Sequence, residues 1–145
     1  MGDIYLGSDS YLFHDRHIPL REFETYGRGR ITALPSETLC AVLGARPGVV
    51  STGDAFTTNA EELLFFEREM VVAKEMEAAA IARVARDLGV PFLAVKAVTD
   101  LVDHPEEQSS EMFQRNLRRV TQELAERLIC LVEWLGDGRR IADFD

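Results

Sequence analysis

Between Val71 and Asp103 the spacing of apolar positions changes twice, and the other predicted elements are arranged around that stretch. Val71-Val72-Ala73 is a short continuous apolar run. From Met76 the spacing becomes helical: Ala78, Ile81, Ala82, Ala85 and Leu88 recur at intervals of three and four, with Arg83, Arg86 and Asp87 on the opposite face. Gly89 stops the helix, and Val90 to Val98 is apolar again except for Lys96. Such a run predicts a strand buried on both faces, as in a parallel sheet covered by helices. The helix then reads as a right-handed crossover between parallel strands. Ligands of such sheets bind beyond the carboxyl ends of the strands. Glu75, Met76 and Glu77 follow the first strand there, and Thr99 and Asp100 follow the second. The pattern predicts two carboxylates, Glu77 and Asp100, facing one crevice.

The remaining elements are punctuated by turn and cap residues. Asp3 to Ser8 reads as a strand, and Asp9 to Gly29 as a loop rich in turn formers. Within that loop His14 and Asp15 suggest hydrogen bonds to local backbone or to a neighbouring subunit, ahead of metal or acid/base chemistry. Ser36 is placed to cap a helix over 37–43 that ends at Gly44. A strand over 48–51 runs into the turn Thr52-Gly53-Asp54. Asn59 caps a helix over 60–69, with Leu63, Leu64 and Phe66 expected inside. After His104-Pro105, Ser109 or Ser110 caps the longest helix, which reaches about Leu135. Its expected inner face is Phe113, Leu117, Val120, Leu124, Leu128, Leu131 and Leu135.

A chain of 145 residues with 46% hydrophobic content can fill one core, so residues 1–145 read as a single domain. The net charge of −9 argues against a nucleic-acid surface. No apolar run approaches membrane-spanning length, and the first residues lack a charged-then-apolar leader pattern. Cys40 and Cys130 fall on apolar helix faces without metal-ligand spacing, which predicts buried free thiols and a reducing, cytoplasmic setting. A strand beginning at the third residue predicts a fold truncated at its N-terminal side.

Four motifs in order, FHDRHIP, VVSTGDAF, KEMEAAAIA and KAVTDLVD, resemble the nucleoside phosphorylase and nucleosidase superfamily. Within it they are most similar to 5'-methylthioadenosine/S-adenosylhomocysteine nucleosidases of the plant-like form. The resemblance implies an α/β fold, a three-layer mixed or parallel sheet with flanking helices, of which this chain would be the C-terminal half. It implies hydrolysis of the N-glycosidic bond of 5'-methylthioadenosine, and of S-adenosylhomocysteine in some members, releasing adenine in methionine salvage. Phosphorolysis to ribose 1-phosphate and a non-catalytic relative are the alternatives. No cofactor and no metal are implied, and the partners are a small nucleoside and a second copy of the chain in a homodimer.

The resemblance also assigns roles. Asp100 is the general acid that protonates N7 of adenine, oriented by Thr99. Glu77 binds the ribose 2'- and 3'-hydroxyls and stabilises the developing cation, with Met76 against the sugar. Phe56 stacks on adenine while backbone groups of Thr57 read its edge. Phe13, Ile18 and Pro19 belong to a loop that closes the 5' end of a partner's pocket. Where several bacterial relatives place an aromatic over the 5' substituent, this chain has Ser110. The water-activating glutamate of the hydrolases belongs to the half of the fold that this chain would lack. Without the resemblance, Phe56 would read as core, Glu77 as a helix-start carboxylate and Asp100 as a turn residue.

Overall fold

A computed structural model of the chain describes residues 2–16, 18–34, 37–102 and 110–139. Its strands are β1 (Ile4–Phe13), β2 (Ile31–Thr32), β3 (Arg46–Thr52), β4 (Val71–Glu75) and β5 (Val95–Ala97). Its α-helices are α1 (Glu24–Arg28), α2 (Glu37–Leu43), α3 (Ala60–Arg68), α4 (Ala78–Asp87) and α5 (Ser110–Gly136). The strands make one sheet in the order β2-β1-β3-β4, with β5 also on β1. The β3–β4 pair is parallel, whereas β1 pairs antiparallel with β2 and β5, so the sheet is mixed. The expected α/β class with flanking helices is found. The expected crossover differs: α4 joins β4 to a strand that pairs with β1.

The chain forms two compact units, one of Gly7–Leu34 with Gly48–Ala94, the other of Met1–Leu6, Pro35–Pro47 and Val95–Asp145. In the first, strand alternation sorts side chains to two faces. Tyr11, Phe13, Ile31 and Val50 pack with Ala78, Ala79 and Ala82 of α4, joined by Phe92 and Ala94. Only small side chains let α4 approach rings of this size, which is why its alanines face the sheet. Ile81, Val84 and Leu88 are consequently exposed, by 51, 59 and 72%, so the inner face of α4 is rotated from the one expected. On α3 the buried residues are Glu62, Phe65 and Phe66, and Leu64, expected inside, is exposed.

Two strand boundaries differ most from those expected. β1 runs on through Ser8-Asp9-Ser10 to Phe13, correcting the loop expected from Asp9. Ser10 is buried opposite Thr32 of β2, and its hydroxyl accepts a hydrogen bond from Arg30 Nη1 at 2.7 Å, so a residue that reads as a turn former is satisfied within a strand. Conversely, residues 90–94 are not strand. Pro91 has no N–H for a ladder, and the Ala94 N–H donates to Tyr11 Oη at 3.0 Å. The Tyr11 hydroxyl donates in turn to the Gly7 carbonyl at 2.8 Å. Its ring lies across Gly7, where a Cβ would meet it at 2.5 Å. Burial pushes the Tyr11 hydroxyl above its usual range, with the Ala94 hydrogen bond acting the other way.

In the second unit the start of β1 pairs with β5 in the register Ile4↔Ala97, Tyr5↔Lys96 and Leu6↔Val95. Leu39, Cys40 and Leu43 are buried on α2, which packs on α5. The Arg127 guanidinium lies over Gly44, where φ is +59° and a Cβ would stand 2.6 Å from it. Of the face expected on α5, Val120 and Leu131 are buried, while Leu117, Leu128 and Leu135 are exposed. Cys40 is buried as expected; Cys130 is exposed, because it lies on the outer side of α5 with Ile129 and Val132. Ser36 and Ser109, the expected caps, fall outside the described residues.

Candidate functional site

The ends of β3 and β4 organise the site in the first unit. Thr52 stands directly opposite Glu75, and Ser51 opposite Lys74. Alternation sends Thr52 and Glu75 to the α4 face and Ser51 and Lys74 to the α3 face.

On the α4 face, the start of the helix is held by residues from the strands. The Glu75 carboxylate accepts the backbone N–H groups of Glu77 and Ala78 at 2.9 and 2.8 Å, and the Thr52 hydroxyl. Thr52 Oγ1 accepts the N–H of Ala79 at 2.8 Å. Helix starts leave such N–H groups without intrahelical partners. Here three in succession are satisfied without the N-cap side chain. That N-cap is Glu77, whose own side chain makes no capping bond. The residue is exposed, and among the described residues its carboxylate has no hydrogen-bond or ion-pair partner. Met76 beside it is 42% exposed.

On the α3 face, Lys74 is almost fully enclosed. Its ammonium donates to the carbonyl of Thr57, to Thr58 Oγ1 at 3.0 Å and to the Phe56 carbonyl at 3.5 Å. It lies 3.8 Å from the Glu62 carboxylate. Lys74 thereby fixes the backbone of residues 56–58, and the Phe56 ring stands outside it, 71% exposed. Exposure of that size removes the reading of Phe56 as core. Thr57 is exposed as well.

His14 lies on the same face. It is buried, with Nδ1 3.0 Å from Ser51 Oγ and its ring edge-on to Phe66. Nε2 has no partner among the described residues and faces Gly53, where a Cβ would stand 2.1 Å away. Burial lowers the His14 pKa and Lys74 lowers it further, against Glu62, Asp15 and Glu75, which raise it. Among the described residues no group of three His, Cys, Asp or Glu is arranged to hold a metal ion.

Of the loop residues expected near a partner, Phe13 ends β1 inside the core, with the Arg16 guanidinium 3.4 Å above its ring. Ile18 and Pro19 line a cavity of about 760 Å³ with His14, Asp15, Arg28 and Phe65. Thr99 and Asp100 belong to the second unit. They follow β5, are half-buried, and the Thr99 hydroxyl donates to Asp100 Oδ1. Ser110 is the first residue of α5. Lys74 and Thr52 were not singled out from the sequence. The available signal was a lysine ending an apolar strand run whose charge would need a buried acceptor.

The model of the phosphorylase superfamily matches residues 2–133. The chain belongs to that superfamily. Within the superfamily it is 36% identical over 143 residues to a 5'-methylthioadenosine nucleosidase of Arabidopsis thaliana, covering 99% of this chain and 52% of that protein. It is 34% identical to a 5'-methylthioadenosine/S-adenosylhomocysteine nucleosidase of the same plant, covering 99% of this chain and 55% of that one. The structure of Arabidopsis thaliana 5'-methylthioadenosine nucleosidase in apo form superposes with a TM-score of 0.88 at 35% identity, over 99% of this chain and 57% of that one. The chain thus spans about half the length of these superfamily members.

Proposed function

We propose that the chain carries the base and sugar subsites of a nucleosidase that hydrolyses the N-glycosidic bond of 5'-methylthioadenosine and releases adenine. The observation that supports this most is the state of Glu77. It occupies a helix N-cap, yet Glu75 and Thr52 satisfy the N–H groups there. An N-terminal carboxylate without a capping task, in the favourable field of the helix start, is available for ribose hydroxyls. The exposed Phe56 beside the fixed Thr57 backbone suits a purine, because a rigid ring and rigid backbone groups recognise a flat base at small entropic cost.

In this reading Asp100 delivers a proton to N7 as the glycosidic bond breaks, so the departing adenine is neutral. Glu77 holds the 2'- and 3'-hydroxyls and offsets the positive charge growing on the ribosyl ring. Met76 packs on the sugar and Thr99 orients Asp100. Ile18 and Pro19, with Phe13 anchoring the segment from within the core, close the 5' end of a pocket in a homodimer. The reaction serves methionine salvage in the cytoplasm, and the acceptor is water. The similarity to two named plant nucleosidases supports hydrolysis over phosphorolysis.

The test joins this chain to the part of the Arabidopsis nucleosidase that it does not span and follows adenine release from methylthioadenosine. Release without added phosphate is expected from the joined protein, and no turnover from the chain alone. Asp100→Asn in the joined protein should lower release by roughly 10²–10⁴-fold, the usual range for general acid catalysis. Binding of a substrate analogue should change by less than about tenfold, since losing an interaction made in the transition state spares ground-state binding. Release that requires phosphate, or near-normal turnover by the Asn variant, would contradict this reading.

A further inference from the structure

We propose that the dipeptide Lys74-Glu75, with Thr52 across the β3–β4 pair, positions both halves of the nucleoside site: Lys74 sets the base side and Glu75 the sugar side. The proposal rests on the nucleoside reading above and goes beyond it by assigning residues that need not touch the ligand.

The two side chains are adjacent in sequence and act in opposite directions because a strand alternates its faces. Lys74 points to the α3 face, where its ammonium gathers the carbonyls of Phe56 and Thr57 and the hydroxyl of Thr58. A buried ammonium requires such acceptors, so the loop conformation and the buried charge stabilise each other. Glu62 completes the shell at 3.8 Å. Glu62 is itself fixed by the capping box at the start of α3, through the N–H groups of Asn59 and Glu62. The loop from Phe56 to Asn59 is therefore held at both ends.

Glu75 points to the α4 face. Its carboxylate takes the N–H groups of Glu77 and Ala78, and Thr52 bridges from that carboxylate to the N–H of Ala79. Hydrogen bonds to an ionised acceptor are the stronger kind, and these fix the backbone from which the Glu77 side chain projects. The arrangement also does the capping that Glu77 would otherwise be drawn into. Removing Glu75 would let the Glu77 carboxylate fold back onto the vacated N–H groups and away from a ribose. One rigid strand end thus sets the distance between the base-reading loop and the sugar-reading carboxylate.

The test is calorimetric titration of the 145-residue chain with two ligands, adenine and the 5'-methylthio riboside of 7-deazaadenine, which lacks the N7 that must be protonated for cleavage. Glu75→Gln and Thr52→Val are expected to weaken the riboside about tenfold, the scale of one lost hydrogen bond, and adenine less than about twofold. Thr52→Ser should restore riboside affinity, since it keeps the hydroxyl. Lys74→Met should weaken both ligands by the same factor, because both contain the base. Circular dichroism melts identify any variant that has lost its fold, and the Thr52→Val and Thr52→Ser pair keeps the comparison between shapes of similar size. Equal weakening of both ligands by Glu75→Gln, or riboside-selective weakening by Lys74→Met, would overturn the proposal while leaving the nucleoside reading standing. A wild-type chain that binds neither ligand would remove both.

Discussion

Burial holds the His14 imidazole below its ordinary pKa, and the Lys74 ammonium acts in the same direction. Glu62, Asp15 and Glu75 oppose this without reversing it. The sign of the resulting pH dependence follows from linkage. With a folded pKa below the unfolded value of about 6.5, the unfolded chain takes up the proton first as pH falls. The contribution of neutral His14 is complete above that value and is lost progressively as pH drops towards the folded pKa. Urea midpoints measured from pH 7.5 to 5.5 should therefore fall more steeply for the wild-type chain than for His14→Gln. Parallel slopes would show that His14 does not titrate from a buried neutral state. The same residue shows what local sequence hides. His14-Asp15 reads as loop chemistry, and its burial depends on Ser51 and Phe66, partners far along the chain.

Helix ends were legible in the sequence because their signals are local. Gly44 and Gly89 take positive φ at the ends of α2 and α4, and Asn59 caps α3 where expected. After α4, the N–H of Val90 returns to Ala85 and that of Gly89 to Arg86, a two-bond closure that needs the left-handed glycine. The cap of α3 makes two reciprocal bonds, Glu62 N–H to Asn59 Oδ1 at 2.9 Å and Asn59 N–H to Glu62 Oε2 at 3.1 Å. Asn59→Ala should cost about 1 kcal/mol of stability, read as a lower urea midpoint with unchanged slope. It should also loosen residues 56–58, seen as faster amide exchange there. A stability loss without any change in exchange at 56–58 would separate the cap from the loop. Strand ends and helix faces were less legible because they are decided by distant partners. β1 extends through Ser10 because that stretch pairs with β2, Ser10 opposite Thr32 and Tyr11 opposite Ile31, and residues 90–94 leave the ladder because Pro91 cannot donate and Tyr11 takes the Ala94 N–H. On α4 the apolar period does specify a helix, but packing against Tyr11 and Phe13 selects the alanines over Ile81 and Leu88.

At the scale of the molecule, the proposed roles are distributed over both units. Phe56, Thr57, Met76 and Glu77 sit in the first, around the ends of β3 and β4, and Thr99 and Asp100 follow β5 in the second. The residues proposed to touch a nucleoside were legible as candidates, because motif order carries them. The residues that hold those groups in place were not, since Lys74 gains its meaning only from the loop carbonyls it meets and Thr52 only from its register opposite Glu75. The superfamily's fold is reproduced over this chain's length, which is about half that of its plant relatives. Glu75 and Thr52 leave the Glu77 carboxylate free of its helix, and its proposed role is to bind sugar hydroxyls. Its most direct test is titration of Glu77→Gln with adenine and with the 7-deaza riboside, in the same chain and buffer as the wild type. Riboside binding should weaken by roughly tenfold or more, the scale of a lost charged hydrogen bond, with adenine affinity essentially unchanged. Equal loss for the two ligands, or no loss for either, would contradict it.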